Sequence, residues 1–227
     1  MEMPDDTYLT GYADDILAVI AARSTDELQW KLNQMMRRVS RWVDDHGLDL
    51  ATEKTELVIV KRKYIPLHVA MQVEPSEIAA KTAIRHLGIW IDNRLSFGEQ
   101  VKQAANKAAV VTTSLSRLMV NINGPRPSKR RLLMSVTQSI MLYGAEIWAD
   151  ALKKKTNSRR LAAVQQKGAL RIAFSYRTVS EPAILVIAGT IPNDLQALEK
   201  KEVFHRNRNV TKATAKSEAR AATLERW

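Results

Sequence analysis

Leu9-Thr10-Gly11-Tyr12-Ala13-Asp14-Asp15-Ile16-Leu17-Ala18-Val19-Ile20 is the stretch that decides how this chain folds. Two adjacent acids interrupt an otherwise apolar run, so the pattern predicts strands over 7–12 and 16–22 that are joined at Asp14-Asp15. Carboxylates between buried strands are costly unless they are paired or bind a metal. Hard cations such as Mg²⁺ take oxygen ligands of this kind. The alternative is a surface hairpin in which the acids only favour the turn.

The segment after this hairpin has the pattern of one long helix followed by short strands. Ser24-Thr25-Asp26-Glu27 is a capping box that opens the helix, and Gly47 ends it. Apolar residues recur at every third or fourth position, which predicts one core-facing stripe: Leu28, Leu32, Met35, Met36, Val39, Trp42 and Val43. Apolar and β-branched runs then predict strands over 55–60, 68–73 and 83–91. The first part of the chain is therefore expected to be α+β.

From about residue 95 the patterns become helical. Ser96-Phe97-Gly98-Glu99 is a second capping box, and helices are predicted over about 98–120, from Ser128 to about 150, and over about 157–174. Ser180-Glu181-Pro182 and Pro192-Asn193-Asp194 each open a further helix. The residues from 206 to 227 are polar and rich in Ala, Lys, Arg and Thr, and we predict a disordered tail there.

The composition favours a polyanionic partner. The chain of 227 residues has a formal net charge of +11 and a pI near 9.9, which fits nucleic acid most simply, although charge alone can also serve solubility. It has no cysteine, which excludes disulfides and thiolate zinc sites. No apolar run approaches the length of a membrane span. The acidic N-terminus lacks a signal-peptide core, so we expect an intracellular protein, nuclear or cytoplasmic.

Four ordered motifs resemble those of reverse transcriptases of non-LTR retrotransposons, of the LINE-type, arthropod R1-like group. The catalytic hairpin of that family resembles Tyr12-Ala13-Asp14-Asp15, and the segment that follows it is similar to Gly47-Leu48-Asp49-Leu50 with Lys54-Thr55-Glu56. The Leu-Gly strand beside the primer resembles His86-Leu87-Gly88-Ile89-Trp90-Ile91-Asp92. The region after the polymerase core is similar to Leu142-Tyr143-Gly144-Ala145-Glu146-Ile147-Trp148 and Arg171-Ile172. The resemblance covers about residues 4–200.

This resemblance implies a fold and a chemistry. Residues 1–94 would be a partial polymerase palm, an antiparallel sheet with a packed helix, and residues 95–205 a helical thumb-like bundle. The family transfers a nucleotidyl group from a dNTP to a DNA primer on an RNA template, with two Mg²⁺ ions. Asp14 would then be the direct metal ligand and Asp15 a supporting one. Tyr12 and Ala13 would lie beside the primer terminus.

Three further residues gain roles from the resemblance, each with a plainer alternative. Lys54 would neutralise charge near the pyrophosphate or donate a proton, or it is simply an exposed lysine at a strand start. Leu87 and Gly88 would lie against the primer strand, since a glycine in a strand often marks the close approach of another backbone. An ordinary bulge explains Gly88 equally well.

The helical half carries basic clusters that are candidates for duplex binding. We expect Lys129-Arg130-Arg131 to contact phosphates, and Lys153-Lys154-Lys155 and Arg159-Arg160 are further clusters. The alternative is that these charges lie on solvated helix faces.

The family's segments that precede the catalytic hairpin have no counterpart in this sequence. The family has a third carboxylate, fingers and a template-binding segment before the hairpin, whereas only eleven residues precede Tyr12 and none matches. We therefore expect a carboxyl-terminal palm and thumb portion with weak Mg²⁺ binding and little or no polymerase activity alone. An exposed palm edge would pair with a chain that supplies the missing half. The alternatives are a non-catalytic nucleic-acid-binding module and an interaction subunit.

Overall fold

The computed structural model describes residues 4–60, 69–73, 76–120, 124–207 and 209–227, and these form two compact units. The first unit comprises Met1–Ile84 and Asp92–Leu95, and the second comprises Arg85–Ile91 and Ser96–Trp227. Strands dominate the first unit and helices the second, so the mixed α+β class is confirmed. In the described ranges, no helix combines the length and the apolar character that crossing a membrane requires.

The first unit is built from two small sheets and one long helix. Strands β1 (Thr7–Tyr12) and β2 (Asp15–Ile20) form an antiparallel hairpin, and helix α1 (Thr25–Asp45) follows it. A 3₁₀ turn (Thr52–Lys54) leads into a three-stranded sheet of order β3-β5-β4. In that sheet β3 (Leu57–Val58) runs parallel to β5 (Ser76–Lys81), and β4 (Ala70–Val73) runs antiparallel to β5.

The apolar stripe of α1 forms the core of this unit. Ser24 caps the helix by accepting from the Glu27 backbone N–H at 3.2 Å. The buried residues of the stripe are Leu32, Met35, Met36, Val39 and Val43, and Val69 and Met71 join them in one cluster. Trp42 departs from the prediction, because it is 41% exposed and its ring stacks on His46 with centroids 4.2 Å apart.

The strand predictions are right in kind but wrong in extent. The predicted strand 55–60 shortens to Leu57–Val58, and β5 was not predicted at all. Residue 68 of the predicted strand 68–73 lies outside the described residues. The predicted strand 83–91 is a hairpin of β6 (Ala83–His86) and β7 (Ile89–Asp92), because the backbone turns at Leu87 and Gly88.

The second unit contains seven helices among its described residues. They are α2 (Gly98–Arg117), α3 (Pro127–Met141), α4 (Ala145–Trp148), α5 (Lys155–Ile172), α6 (Glu181–Ala188), α7 (Asn193–Arg206) and α8 (Lys212–Arg226). A 3₁₀ turn (Ala149–Lys153) separates α4 from α5. The helix predicted from Ser128 to about 150 therefore begins at Pro127 and ends at Met141.

Two other predictions in this unit are corrected. The second capping box does not form, because Phe97 occupies the N-cap position with φ 51° and Glu99 accepts instead from the Gln103 amide at 2.7 Å. The tail predicted to be disordered contains α8, which Thr211 caps through the Thr214 backbone N–H. Ala215 and Ala219 of α8 are fully buried, and small side chains allow this close packing.

Arg130 forms the central polar interaction of the helical unit. Its side chain is fully buried and donates to the carbonyls of Pro125 at 2.7 Å, Met119 at 3.1 Å and Arg171 at 2.8 Å, and also to Val120. The Phe174 ring lies 3.7 Å from the guanidinium carbon. Burial, and then the Arg171 charge, lower the pKa of Arg130. One side chain thus joins α3 to the carboxyl ends of α2 and α5.

We expect Arg130→Met to lower the free energy of unfolding by about 3 kcal/mol, because four carbonyls lose the donor that a buried side chain supplies. Urea denaturation followed by far-UV circular dichroism measures the change. Lys129→Met is the matched control on the same helix, where the side chain is exposed, and it should leave the midpoint unchanged. Equal midpoints for the two variants would contradict the structural role of Arg130.

We also expect Ala219→Gln to detach α8, since overpacking a fully buried alanine costs about 1–3 kcal/mol. Hydrogen exchange of the amides in 212–226 should then lose its protection. Ala221→Gln makes the same change on the exposed side of α8 and should preserve protection. A disordered tail would give unprotected amides in the unmodified chain.

Candidate functional site

The hairpin β1–β2 presents the two adjacent acids at its tip. Tyr12 pairs with Asp15, so Ala13 and Asp14 form a two-residue loop. Ala13 has a positive φ of 54°, and short loops that join strands tightly often require such a backbone. Asp15 begins β2 instead of lying in the turn, which corrects the predicted strand start at residue 16. Tyr12, Ala13, Asp14 and Asp15 are all exposed.

The two faces of this hairpin have different surroundings. Leu9, Ala18 and Ile20 pack against the α1 core. Because side chains alternate along a strand, Tyr8, Tyr12 and Asp15 lie on the opposite face. Tyr8 is 65% exposed and Tyr12 is 68% exposed. The acid pair therefore adjoins a face of the hairpin that is aromatic and open to solvent.

Lys31 of α1 anchors the base of the hairpin, a role that sequence reasoning missed. Its ammonium donates to the Ala21 carbonyl at 2.9 Å and forms ion pairs with Glu27 at 2.8 Å and Asp6 at 3.6 Å. The hydrogen bond to Glu27 raises the pKa of Lys31, and the same bond lowers the pKa of Glu27. The only signal in the sequence was a lysine beside the apolar stripe.

The acid pair supplies suitable but insufficient donors for a metal ion. Carboxylate oxygens suit Mg²⁺, and Asp14 and Asp15 offer them at a solvent-exposed turn. Over the described ranges, however, no three His, Cys, Asp or Glu side chains are grouped closely enough to hold a metal. The residues present therefore do not complete a two-metal site.

Lys54 lies in the same unit as the acids but is not joined to them. It ends the 3₁₀ turn and is exposed. Within the described part of the chain, no ion pair or hydrogen bond connects the Lys54 side chain with Asp14 or Asp15. Nearby, Glu56 forms an ion pair with Lys81 of β5 at 2.6 Å.

Leu87 and Gly88 form the turn of the β6–β7 hairpin and belong to the second unit. Both have positive φ, 46° and 83°, as a two-residue type I′ loop requires. The expectation of a glycine within a strand is therefore wrong. The close approach to Gly88 is made by Tyr143, because a Cβ there would lie 3.1 Å from the Tyr143 Cε1 atom. The Tyr143 hydroxyl donates to the Leu87 carbonyl at 3.0 Å.

The motif around Tyr143 is shaped to hold this turn. Gly144 has φ 62°, and a Cβ at this position would overlap Ile89 Cδ1. The fully buried Trp148 donates its indole N–H to the Tyr143 carbonyl at 2.8 Å. Two motifs that are remote in the sequence therefore form one contact. Each motif has a glycine beside bulky residues, but the periodicity of the sequence does not predict that the two motifs are in contact.

The basic clusters differ in what they offer a polyanion. Arg130 is buried, which rules out a phosphate contact by its guanidinium in this conformation. Arg131 is exposed but donates to the Ala188 carbonyl at 2.9 Å, while Lys129 is exposed. Lys153 forms an ion pair with Asp150 at 3.0 Å. Of the predicted cluster Lys129-Arg130-Arg131, only the first and last members remain on the surface.

A cleft of about 370 Å³ lies in the helical unit, and its lining includes none of the residues predicted to be functional. Leu161, Leu185 and Trp227 contribute to its apolar wall, and Glu181 and Asp194 are its acids. Burial, and then the Asp194 carboxylate, raise the pKa of Glu181.

Comparison with known proteins finds relatives over most of the chain. A retrovirus-related Pol polyprotein from type-1 retrotransposable element R1 of Nasonia vitripennis is 27% identical over 212 residues, 88% of this chain and 62% of that protein. A second Nasonia polyprotein, from element R1 2, is 26% identical over 199 residues, 85% of this chain and 48% of that protein. The chain is a relative of R1-type retrotransposon Pol polyproteins.

Relatives from other elements are also found. A probable RNA-directed DNA polymerase from transposon BS of Drosophila melanogaster is 23% identical over 210 residues, 91% of this chain and 22% of that protein. The chain thus spans about half to six-tenths of the two Nasonia polyproteins and a smaller part of the transposon BS protein. No family model matches the chain. No solved structure matches it either.

We expect Gly144→Ala to destabilise the helical unit by about 2–3 kcal/mol, because the added methyl overlaps Ile89 and φ is positive. Gly88→Ala should lower the free energy of unfolding by about 1–2 kcal/mol, because φ is also positive there but the added methyl would lie 3.1 Å from the Tyr143 ring and not overlap it. Chemical denaturation measures both. Gly98→Ala is the control, since its nearest neighbour would be the Ser96 hydroxyl at 3.6 Å. A loss of stability in the control equal to that of Gly144→Ala would refute the argument.

Proposed function

We propose that this chain is part of a reverse transcriptase of a non-LTR, R1-like retrotransposon, in which it contributes the acidic hairpin to RNA-directed DNA synthesis. One observation carries the proposal. A tight two-residue loop presents adjacent carboxylates at the exposed tip of a packed hairpin, in a chain whose relatives are retrotransposon Pol polyproteins. Residues 1–94 are assigned to the palm and residues 95–205 to the thumb on this basis.

The hairpin has the properties that such a polymerase needs in a ligand support. Leu9, Ala18 and Ile20 fix one face against α1, and Lys31 ties the base of the hairpin to the same helix. The acids are therefore held at the end of a packed hairpin, which is favourable for a catalytic constellation. Asp14 is the proposed direct metal ligand and Asp15 the supporting one.

The other residues receive roles around the primer. Tyr12 and Ala13 would lie beside the primer 3′ end, and Lys54 near the pyrophosphate. Leu87 and Gly88 would face the primer strand, and Tyr143 would fix their backbone through its hydrogen bond to the Leu87 carbonyl. The substrates would be an RNA template, a DNA primer and dNTPs.

The chain by itself is proposed to be inactive. Two exposed carboxylates bind a divalent cation weakly, because solvent screens their attraction and few ligands are fixed in place. Nucleotidyl transfer with two Mg²⁺ ions is proposed only for the assembled polymerase, where a further carboxylate completes the site.

A second candidate function, an interaction subunit, is favoured by the edges of the hairpin. Among the described strands, β1 and β2 pair only with each other. Each strand therefore has an edge open to pairing, and Tyr8 and Tyr12 add an exposed aromatic surface beside it. A partner chain that adds a strand to this hairpin would cover the edge and the aromatic surface.

The decisive experiment is primer extension on an RNA template with Mg²⁺ and dNTPs. The chain is compared with a fusion in which the segment preceding the matched region of an R1 relative is joined to its N-terminus. We expect no extension by the chain alone and extension by the fusion. Asp14→Asn/Asp15→Asn should abolish extension, whereas Asp44→Asn/Asp45→Asn, another adjacent and exposed pair, should not. Extension that survives loss of Asp14 and Asp15 would refute the proposal.

A measurement on the chain alone covers the case in which the fusion does not fold. Mn²⁺ is a paramagnetic substitute for Mg²⁺ and broadens the NMR signals of nearby amides. Millimolar Mn²⁺ should broaden the amides of residues 12–16 in the unmodified chain and in Asp44→Asn/Asp45→Asn. It should not do so in Asp14→Asn/Asp15→Asn. Equal broadening in all three proteins would count against a metal site at the hairpin.

A further inference from the structure

All the charged side chains of helix α5 are basic. Its 18 residues contain no acid and the following bases: Lys155, Arg159, Arg160, Lys167 and Arg171. All five side chains are exposed. The adjacent helices α6 and α7 both carry acids. Helix α3 also lacks acids, but its three bases lie within its first five residues and Arg130 is buried. The bases of α5 extend over its whole length.

Among the described residues, the charges of α5 are not neutralised by ion pairs. Several other bases of the unit form ion pairs: Lys201 with Asp150, Arg206 with Glu202 and Glu218, and Arg220 with Glu199. No ion pair in the described ranges involves a base of α5. Arg160 lies near Glu99: the hydrogen bond from Gln103 is the main cause that lowers the pKa of Glu99, and the charge of Arg160 adds to it.

The spacing of the bases suits a polyanion. Arg160, Lys167 and Arg171 lie at i, i+7 and i+11, which places them along one side of the helix over about 16 Å. Duplex DNA carries one charge per roughly 1.7 Å of its axis. A stripe of this length therefore faces several phosphates at once, and Lys155 and Arg159 widen it at its amino-terminal end.

The stripe is also held rigidly. Leu161 and Val164 of α5 belong to one hydrophobic core, and Ala169 and Ile172 to another. The Arg171 carbonyl accepts from the buried Arg130 at 2.8 Å, which fixes the carboxyl end of the helix. Preorganised charges lose less entropy on binding than charges on a mobile segment.

We propose that the outer face of α5 is the surface on which the helical unit binds the phosphate backbone of a nucleic-acid duplex. It takes the place of the predicted cluster at the start of α3, where Arg130 is buried and Arg131 is bound to a carbonyl. The choice of a duplex as partner rests on the proposed function, whereas the location rests on the charges of α5. Binding on this face reads the backbone and not the bases.

The test is the salt dependence of binding to a fluorescently labelled 20-base-pair RNA–DNA hybrid, measured by anisotropy with the full chain. The α5 variant is Arg159→Gln/Lys167→Gln. The matched control is Lys212→Gln/Lys216→Gln, which removes the same net charge from exposed positions of α8. The unfolding midpoint of each variant confirms that the fold is intact.

Each lost phosphate contact lowers the slope of log K against log salt by about 0.9. We therefore expect the α5 variant to lose about two units of slope and on the order of tenfold or more in affinity at moderate salt. The control should keep the slope of the unmodified chain. Equal losses in both variants, or an unchanged slope in the α5 variant, would overturn the proposal.

The remaining outcomes separate this proposal from the proposed function. If the α5 variant binds the hybrid as the unmodified chain does, only the assignment of the binding surface to α5 is overturned. No hybrid binding by the unmodified chain overturns the assignment and also weakens the thumb role, while the hairpin acids stay testable by primer extension. Tighter α5-dependent binding to vesicles of phosphatidylserine than to the hybrid would point to a membrane partner and overturn the choice of nucleic acid.

Discussion

A buried guanidinium organises the helical unit. Among the described residues Arg130 has no carboxylate partner, and backbone carbonyls just beyond α2 and in the last turn of α5 accept its hydrogen bonds instead. The carboxyl ends of helices carry partial negative charge, so a cation placed there is stabilised without an acid. Lysine cannot replace it equally, since only the planar guanidinium offers five donors in a fixed arrangement. The positions of three helices, and hence the outer face of α5, depend on this contact.

A similar use of a basic residue occurs in the first unit. The largely buried Lys31 ties the acidic hairpin to α1 through the Ala21 carbonyl and two carboxylates. In both units, therefore, a basic residue is buried and stabilises the fold. Other basic residues form ion pairs with acids on the surface. The net charge of +11 therefore says less about ligand binding than the location of the charges that remain available.

Local signals account for what could be predicted from the sequence. The hairpin and α1 follow from alternation, a capping box and a regular apolar stripe, all of which act within a few residues. The position of Asp14 and Asp15 at the hairpin tip is likewise a local signal, because the two acids interrupt an apolar run. The burial of Arg130 and the packing of α8 depend on residues distant in the chain, so composition pointed to a surface cluster and a disordered tail instead. The turn at Leu87-Gly88 was missed because apolar residues on both sides imitate one continuous strand.

The contact between Tyr143 and the Leu87-Gly88 turn links positions 56 residues apart. Because the ring occupies the space beside Gly88, the size tolerated at one position limits the size tolerated at the other. Sequences that diverge from this chain should therefore change the two positions together or not at all. Such covariation would show that the Leu87-Gly88 turn and Tyr143 are retained together, even in relatives of low overall sequence identity.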